Sequence, residues 1–223
     1  MPEIPVEKII RSSRRTISLE VTPQATLVVR APRRVPLEYI DGMIREKHAW
    51  ILRKMEEMRK RPAAPAREYA EGELFWFLGR QYPLHFTDAG SGAIVRTDRL
   101  EVCRSLQPRV QQRLERWYRD EAYREIHGRC SWFSMKTGYV PTSVRITGAR
   151  QRWGSCTHKA GLNFTWRLVQ APPEIVDYVV VHELVHIGQP DHSRKFWNKV
   201  GAVLPDYDRR RQWLRGNEWM LKV

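Results

Sequence analysis

Four residues in the last quarter of the chain have the types and spacing for metal-assisted hydrolysis: His182, Glu183, His186 and His192. On a helix turning ~100° per residue, the first three share one sector, and the two histidines stand about 6 Å apart along the axis. Two imidazoles so placed can point at one metal ion, with Glu183 beside them to hold a water. Burying two imidazoles and a carboxylate side by side is costly unless something pairs them, and a divalent cation does so directly. Gly188 is expected to end the helix in the left-handed conformation, and Pro190 to keep it from resuming. The turned chain then offers His192 as a third ligand. Three nitrogens and a water make the open tetrahedral site of a catalytic zinc. These residues therefore predict Zn2+, or another divalent metal, with Glu183 as the catalytic carboxylate. The plainer alternative is a set of core histidines satisfied by hydrogen bonds.

The stretch that must position them runs from Pro172 to Trp197. Paired prolines suit a helix start. From Ile175 to Ile187 only Asp177, His182, Glu183 and His186 are polar, so the helix reads as buried on most sides. Three short strands are expected before it, at Val144 to Thr147, Arg152 to Cys156 and Leu162 to Val169, with a turn at His158 to Gly161. After it, Ser193 can cap a helix carrying Phe196, Trp197 and Val200. Pro205 ends that helix, and a final one runs from Tyr207 to Leu214. Upstream, Pro108 to Lys136 carries a helical stripe of Val110, Leu114, Trp117, Tyr118, Ala122 and Ile126. Gly138 and Pro141 terminate it. Strand-like pairs flank Gly79-Arg80 and Asp98. Near the N-terminus, two strands joined at Pro23-Gln24 precede one amphipathic helix opening at Pro36. Arg61 to Arg67, with two prolines and no periodicity, reads as a linker. The division expected is 1–65 and 66–223.

The 223 residues carry a formal charge of +14 and a pI of about 10.1. Such a balance suits an anionic partner such as nucleotide or nucleic acid, or simply a solvated basic surface. Three widely spaced cysteines argue against a disulfide framework and for a reducing compartment. There is no apolar leader and no run approaching ~18 apolar residues. A soluble, cytoplasmic protein without a membrane partner is expected. Cys156 reads as a small packed residue rather than a fourth ligand.

WGSC at Trp153 to Cys156, NFTWRL at Asn163 to Leu168 and HELVH…DHSRKFW at His182 to Trp197 resemble, in this order, the YgjP-like metal-dependent hydrolases. RRTISLEV…VVRAP, LGRQY, WYR and PDYDRRRQWL extend the resemblance over nearly the whole chain. That family is grouped with the zincin metallopeptidases and is more distantly similar to SprT-like proteases. The metzincin spacing fits less well, because Gln189 stands where their glycine would be. The resemblance implies an α+β fold with a metal-binding helix beside a small antiparallel sheet, preceded by an N-terminal hairpin and helix. It makes His182, His186 and His192 the ligands and Glu183 the catalytic residue, and by analogy the strand carrying Trp153 becomes a cleft wall. Trp153 and Trp166 read equally well as core aromatics.

Metal-assisted hydrolysis also needs a donor for the developing oxyanion, for which Arg152, Asn163 and Tyr207 are the candidates. The substrate implied first is a peptide. A nucleoside triphosphate such as UTP, cleaved to pyrophosphate, is the alternative the family also suggests, although no glycine-rich phosphate loop is present. A nucleic-acid-associated protease is a third reading and rests on charge alone.

Overall fold

The structure is a computed structural model that describes residues 4–22, 24–60, 67–88, 94–150 and 152–217. The chain divides into two compact units, Met1–Ala63 and Ala64–Val223. Most of the expected linker lies outside the described residues.

The smaller unit begins with β1 (Val6–Ser12), β2 (Ser18–Val21) and β3 (Leu27–Pro32), in the order β1-β3-β2. β2 and β3 form the expected hairpin, and β1 adds itself parallel to β3. The sequence reading missed β1, whose apolar residues number only three and do not strictly alternate. Arg11 is not a free cation. Its Nη1 donates to the carbonyls of Pro32, Arg33 and Val35 at 3.3, 3.2 and 2.6 Å. The expected single helix is two, α1 (Leu37–Glu46) and α2 (His48–Arg59). Lys47 sits between them at ψ 11°, and this break turns Trp50 off the buried stripe and leaves it exposed. Ile40, Ile51 and Met55 bury fully with Leu27 and Val29 to make a separate small core.

In the larger unit β4 (Leu74–Phe77), β5 (Arg80–Thr87), β6 (Val95–Arg96) and β7 (Leu100–Cys103) form one sheet in the order β4-β5-β7-β6. Leu78 and Gly79 both have positive φ, 45° and 75°, as a two-residue primed turn requires. A side chain on Gly79 would meet Pro172 Cα at 2.9 Å, so the glycine also lets this hairpin close on the segment that leads into the helix carrying His182. α3 (Val110–Thr137) passes through Gly128 without interruption and stops at Gly138, which is left-handed at φ 73°. Its buried stripe carries every residue expected, with Cys130 and Phe133 added. Burial pushes the Cys130 thiol up to about 12, so it packs as an inert apolar group.

The second sheet holds β8 (Ser143–Thr147), β9 (Gly154–Cys156) and β10 (Gly161–Thr165), ordered β8-β10-β9. It is mixed rather than purely antiparallel, because β10 runs antiparallel to β9 and parallel to β8. The third strand ends at Thr165, not Val169: Trp166–Gln170 is a 3-10 turn with all five residues buried. A continuous apolar run cannot separate a strand from a buried turn.

α4 (Pro173–Val185) is the centre of the unit. Ile175, Val176, Tyr178, Val179, Val180, Val181, Leu184 and Val185 are all buried. Three consecutive valines are poor helix formers. Burial overrides that preference, since each such side chain contributes ~1.5–3 kcal/mol when removed from water. Asp177, a polar residue of this run, accepts from Arg129 Nε at 3.0 Å. α5 (Arg194–Val203) and α6 (Tyr207–Asn217) complete the described residues, the former with Ser193 at its N-cap position and without a side-chain cap bond.

Candidate metal centre

α4 places His182 and Glu183 in its last turn, and His186 caps it. The next turn is closed by Ile187, Gly188 and Gln189 N–H groups bonding back to Leu184 and Val185. Gly188 does not take the left-handed conformation expected of it, for the positive-φ glycines among the described residues are Gly72, Gly79 and Gly138. Its lack of a side chain serves a different purpose. The Tyr139 ring lies over it, and a Cβ there would sit 2.4 Å from Tyr139 Cε1. The chain then returns through Asp191 to present His192 just before α5.

The three Nε2 atoms converge. His186 lies 3.2 Å from both His182 and His192, and those two are 3.1 Å apart. This triangle is not a hydrogen-bonded set. A neutral imidazole nitrogen is either donor or acceptor, so three mutually close nitrogens cannot all be satisfied by one another. Its centre lies about 1.8 Å from each nitrogen (the side divided by √3), close enough that the ~2.0–2.1 Å zinc–nitrogen bond would let one ion be held by all three. These histidines could therefore hold a divalent metal.

The protonation pattern fits. His186 Nδ1 lies 3.0 Å from Gln189 O, and a carbonyl only accepts, so Nδ1 carries the proton and Nε2 keeps its lone pair for the centre. Burial, then the neighbouring histidines, lowers the His182 pKa to about 3, and burial lowers that of His186. Both shifts favour the neutral form that a ligand needs. His182 Nδ1 is buried with no partner among the described residues. Phe196, fully buried, packs its ring 4.8, 4.5 and 4.9 Å from the three imidazoles in chain order. Trp197 stacks on His192 at 5.8 Å. His192 is exposed while the other two are half-buried, so the centre opens to solvent on its side.

Glu183 is buried, and burial raises its pKa to about 7 against the lowering effect of Arg152. β9 passes directly over it. A Cβ on Gly154 would lie 2.6 Å from Glu183 Cγ and 2.7 Å from Oε1, so only glycine admits the carboxylate here.

The other sequence candidates fall in different places. Arg152 is exposed and close enough for its charge to act on Glu183. Asn163 faces away: it pairs with Ser155, one residue out of phase with the Phe164–Gly154 pair that faces Glu183. Its Nδ2 donates to Ser155 Oγ at 3.4 Å. Trp153 packs against the core. Tyr207 stacks on Trp197 at 5.3 Å, one ring behind His192, so it supports the centre rather than lining it. Cys156 stands outside the histidine cluster and donates to Thr157 O. Sequence reasoning missed the roles of Gly154, Phe196 and Gln189. Phe196, four residues after His192 on an amphipathic helix, was the one with a readable signal. A wide depression of about 430 Å³ on α3 and α4, lined by Arg129, Trp132 and Asp177, contains none of these histidines.

A buried helix presenting convergent imidazoles and an adjacent carboxylate, beside a small sheet, has the make-up of a metal-dependent hydrolase. A family model described as YgjP-like, metallopeptidase domain matches residues 15–217, and the chain belongs to that family. Among solved structures, the metallopeptidase zymogen abylysin of Pyrococcus abyssi is similar at 19% identity with a TM-score of 0.38, covering 41% of this chain and 93% of that one. No curated protein matches the chain. Among the described residues no helix is long and apolar enough to cross a membrane.

Proposed function

We propose that the protein is a zinc-dependent peptidase. In this reading residues 66–223 form the hydrolytic domain, His182, His186 and His192 hold the zinc, and Glu183 is the general base. The observation that carries a peptide substrate is the open edge of β9. β9 pairs only with β10 among the described strands. Thr165 N–H bonds Trp153 O, and Thr157 N–H bonds Gly161 O. Alternation along an antiparallel pair then leaves the backbone groups of Gly154 and Cys156 pointing out from the sheet. An extended peptide can add to such an edge as a further strand, and Gly154 lies directly against Glu183.

Bound there, zinc supplies Lewis acidity and lowers the pKa of its water toward ~7. Glu183 takes one proton of the attacking water and delivers it to the leaving nitrogen as the new carbon–oxygen bond replaces the carbon–nitrogen bond, so that one peptide bond and one water become a carboxylic acid and an amine, which ionise to carboxylate and ammonium. Arg152, exposed beside Glu183, supplies positive charge for the developing oxyanion. The three unpaired cysteines suit the reducing cytoplasm.

The test is digestion of a diverse peptide pool by zinc-loaded protein, with products read by mass spectrometry. The expected result is new peptide termini that disappear on chelation. Pyrophosphate release from a nucleoside triphosphate, with no peptide cut, would replace this reading.

A further inference from the structure

The link that brings His192 back to the centre has little of its own to hold it. Residues 190–192 make no hydrogen bond to other backbone among the described residues. Their position is therefore set from the two ends. At one end α5 carries Phe196 and Trp197, whose rings pack 4.9 and 5.8 Å from His192. At the other end is the turn at 187–189, and Gln189 O there also holds Nδ1 of His186 at 3.0 Å. Where this turn sits thus governs the aim of two of the three imidazoles.

Tyr139 covers that turn. A Cβ on Gly188 would lie 2.4 Å from its Cε1, 2.5 Å from its Oη and 2.6 Å from its Cζ, so the ring edge rests on bare backbone. The tyrosine is anchored to the end of α3. Gly138 turns left-handed there, Tyr139 N–H donates to Thr137 Oγ1 at 3.2 Å, and that hydroxyl donates to Phe133 O at 2.9 Å. Lys199 Nζ, on α5, lies 5.2 Å from the ring centroid, a cation–π contact. One ring therefore meets the end of α3, the ligand turn and the helix that carries Phe196. Its own hydroxyl forms no hydrogen bond among the described residues, so these contacts belong to the ring. Ligands reach a productive geometry only when the groups behind them are locked by packing, within about 0.5 Å.

We propose that Tyr139 is a positioning residue for the three-histidine centre, holding the 187–189 turn so that His186 and His192 converge with His182. The proposal rests on the reading of that centre as a zinc site.

The test is the zinc affinity of the full chain, measured by competition with a chromogenic chelator. Circular dichroism of each metal-free variant checks its fold. Tyr139→Ala should weaken zinc binding about tenfold or more, the loss usual when a group that orients a metal ligand is removed. Tyr139→Phe keeps the ring and should stay within about twofold of wild type. Gly188 is not at positive φ, so its backbone accepts alanine. Gly188→Ala should weaken binding by a factor similar to Tyr139→Ala, because ring or turn must move aside. In a Tyr139→Ala background the same change should add little, since the space is vacated and residues in contact are not additive. If Tyr139→Ala does not fold, Gly188→Ala decides. An affinity unchanged by either alanine variant, a Tyr139→Phe loss as large as that of Tyr139→Ala, or losses that simply add in the double variant would overturn the proposal. A wild-type protein that binds no zinc would instead remove the centre on which it rests.

Discussion

Glu183→Gln is expected to lower kcat by about 10²–10⁴-fold while leaving KM and bound metal nearly unchanged, which is the loss associated with a positioned general base. Glutamine has the same shape and fills the same buried space under Gly154. It cannot accept the proton of the attacking water. The three imidazoles remain 3.1–3.2 Å apart on their own supports, so the metal should stay. Kinetics on any peptide found to be cleaved, alongside metal analysis of the same sample, checks both halves. A variant that keeps wild-type turnover would remove Glu183 from the reaction, and one that loses its metal would make the residue structural.

The second large effect belongs to a residue with no chemistry of its own. Gly154→Ala puts a Cβ 2.6 Å from Glu183 Cγ, 2.7 Å from Oε1 and 2.9 Å from Cδ, so the carboxylate or the strand must move. Displacement of a catalytic group by about 1 Å costs on the order of 10²-fold in rate. Overpacking should cost ~1–3 kcal/mol, which in a chain of this size lowers Tm by roughly 2–12 °C. Ser155→Ala is the control. Ser155 shares the strand but faces away with Asn163, so its kcat should stay within about twofold of wild type. If Gly154→Ala and Ser155→Ala behave alike, β9 does not pack on the Glu183 carboxylate as described.

Much of this arrangement was legible in the sequence, and the unread parts have specific causes. The His182, Glu183, His186 sector follows from helical spacing alone, and Asp177 stood out as a polar residue in a buried helix. What spacing cannot give is which distant residue approaches a side chain. Gly154 and Gly188 are glycines because Glu183 and Tyr139 lie against them, and both contacts join segments far apart in the chain. The same limit explains Asn163, whose position next to buried Phe164 said nothing about which face of the sheet looks at Glu183. Local propensity failed where burial decided. The run Trp166–Gln170 is apolar enough for a strand, but it folds as a 3-10 turn that leads into α4. Lys47 breaks a helix whose apolar pattern continues across it.

The measurement that bears most directly on the account is the zinc content of the purified protein after dialysis against a trace of zinc, compared with His186→Ala and His192→Ala. The convergent triangle predicts about one zinc ion per chain in the wild type and in Glu183→Gln. It predicts a loss of at least about tenfold in affinity when either histidine is removed. A wild-type protein that takes up no zinc, or a His192→Ala variant that holds it as tightly as wild type, would contradict the three-histidine centre and the hydrolysis proposed from it.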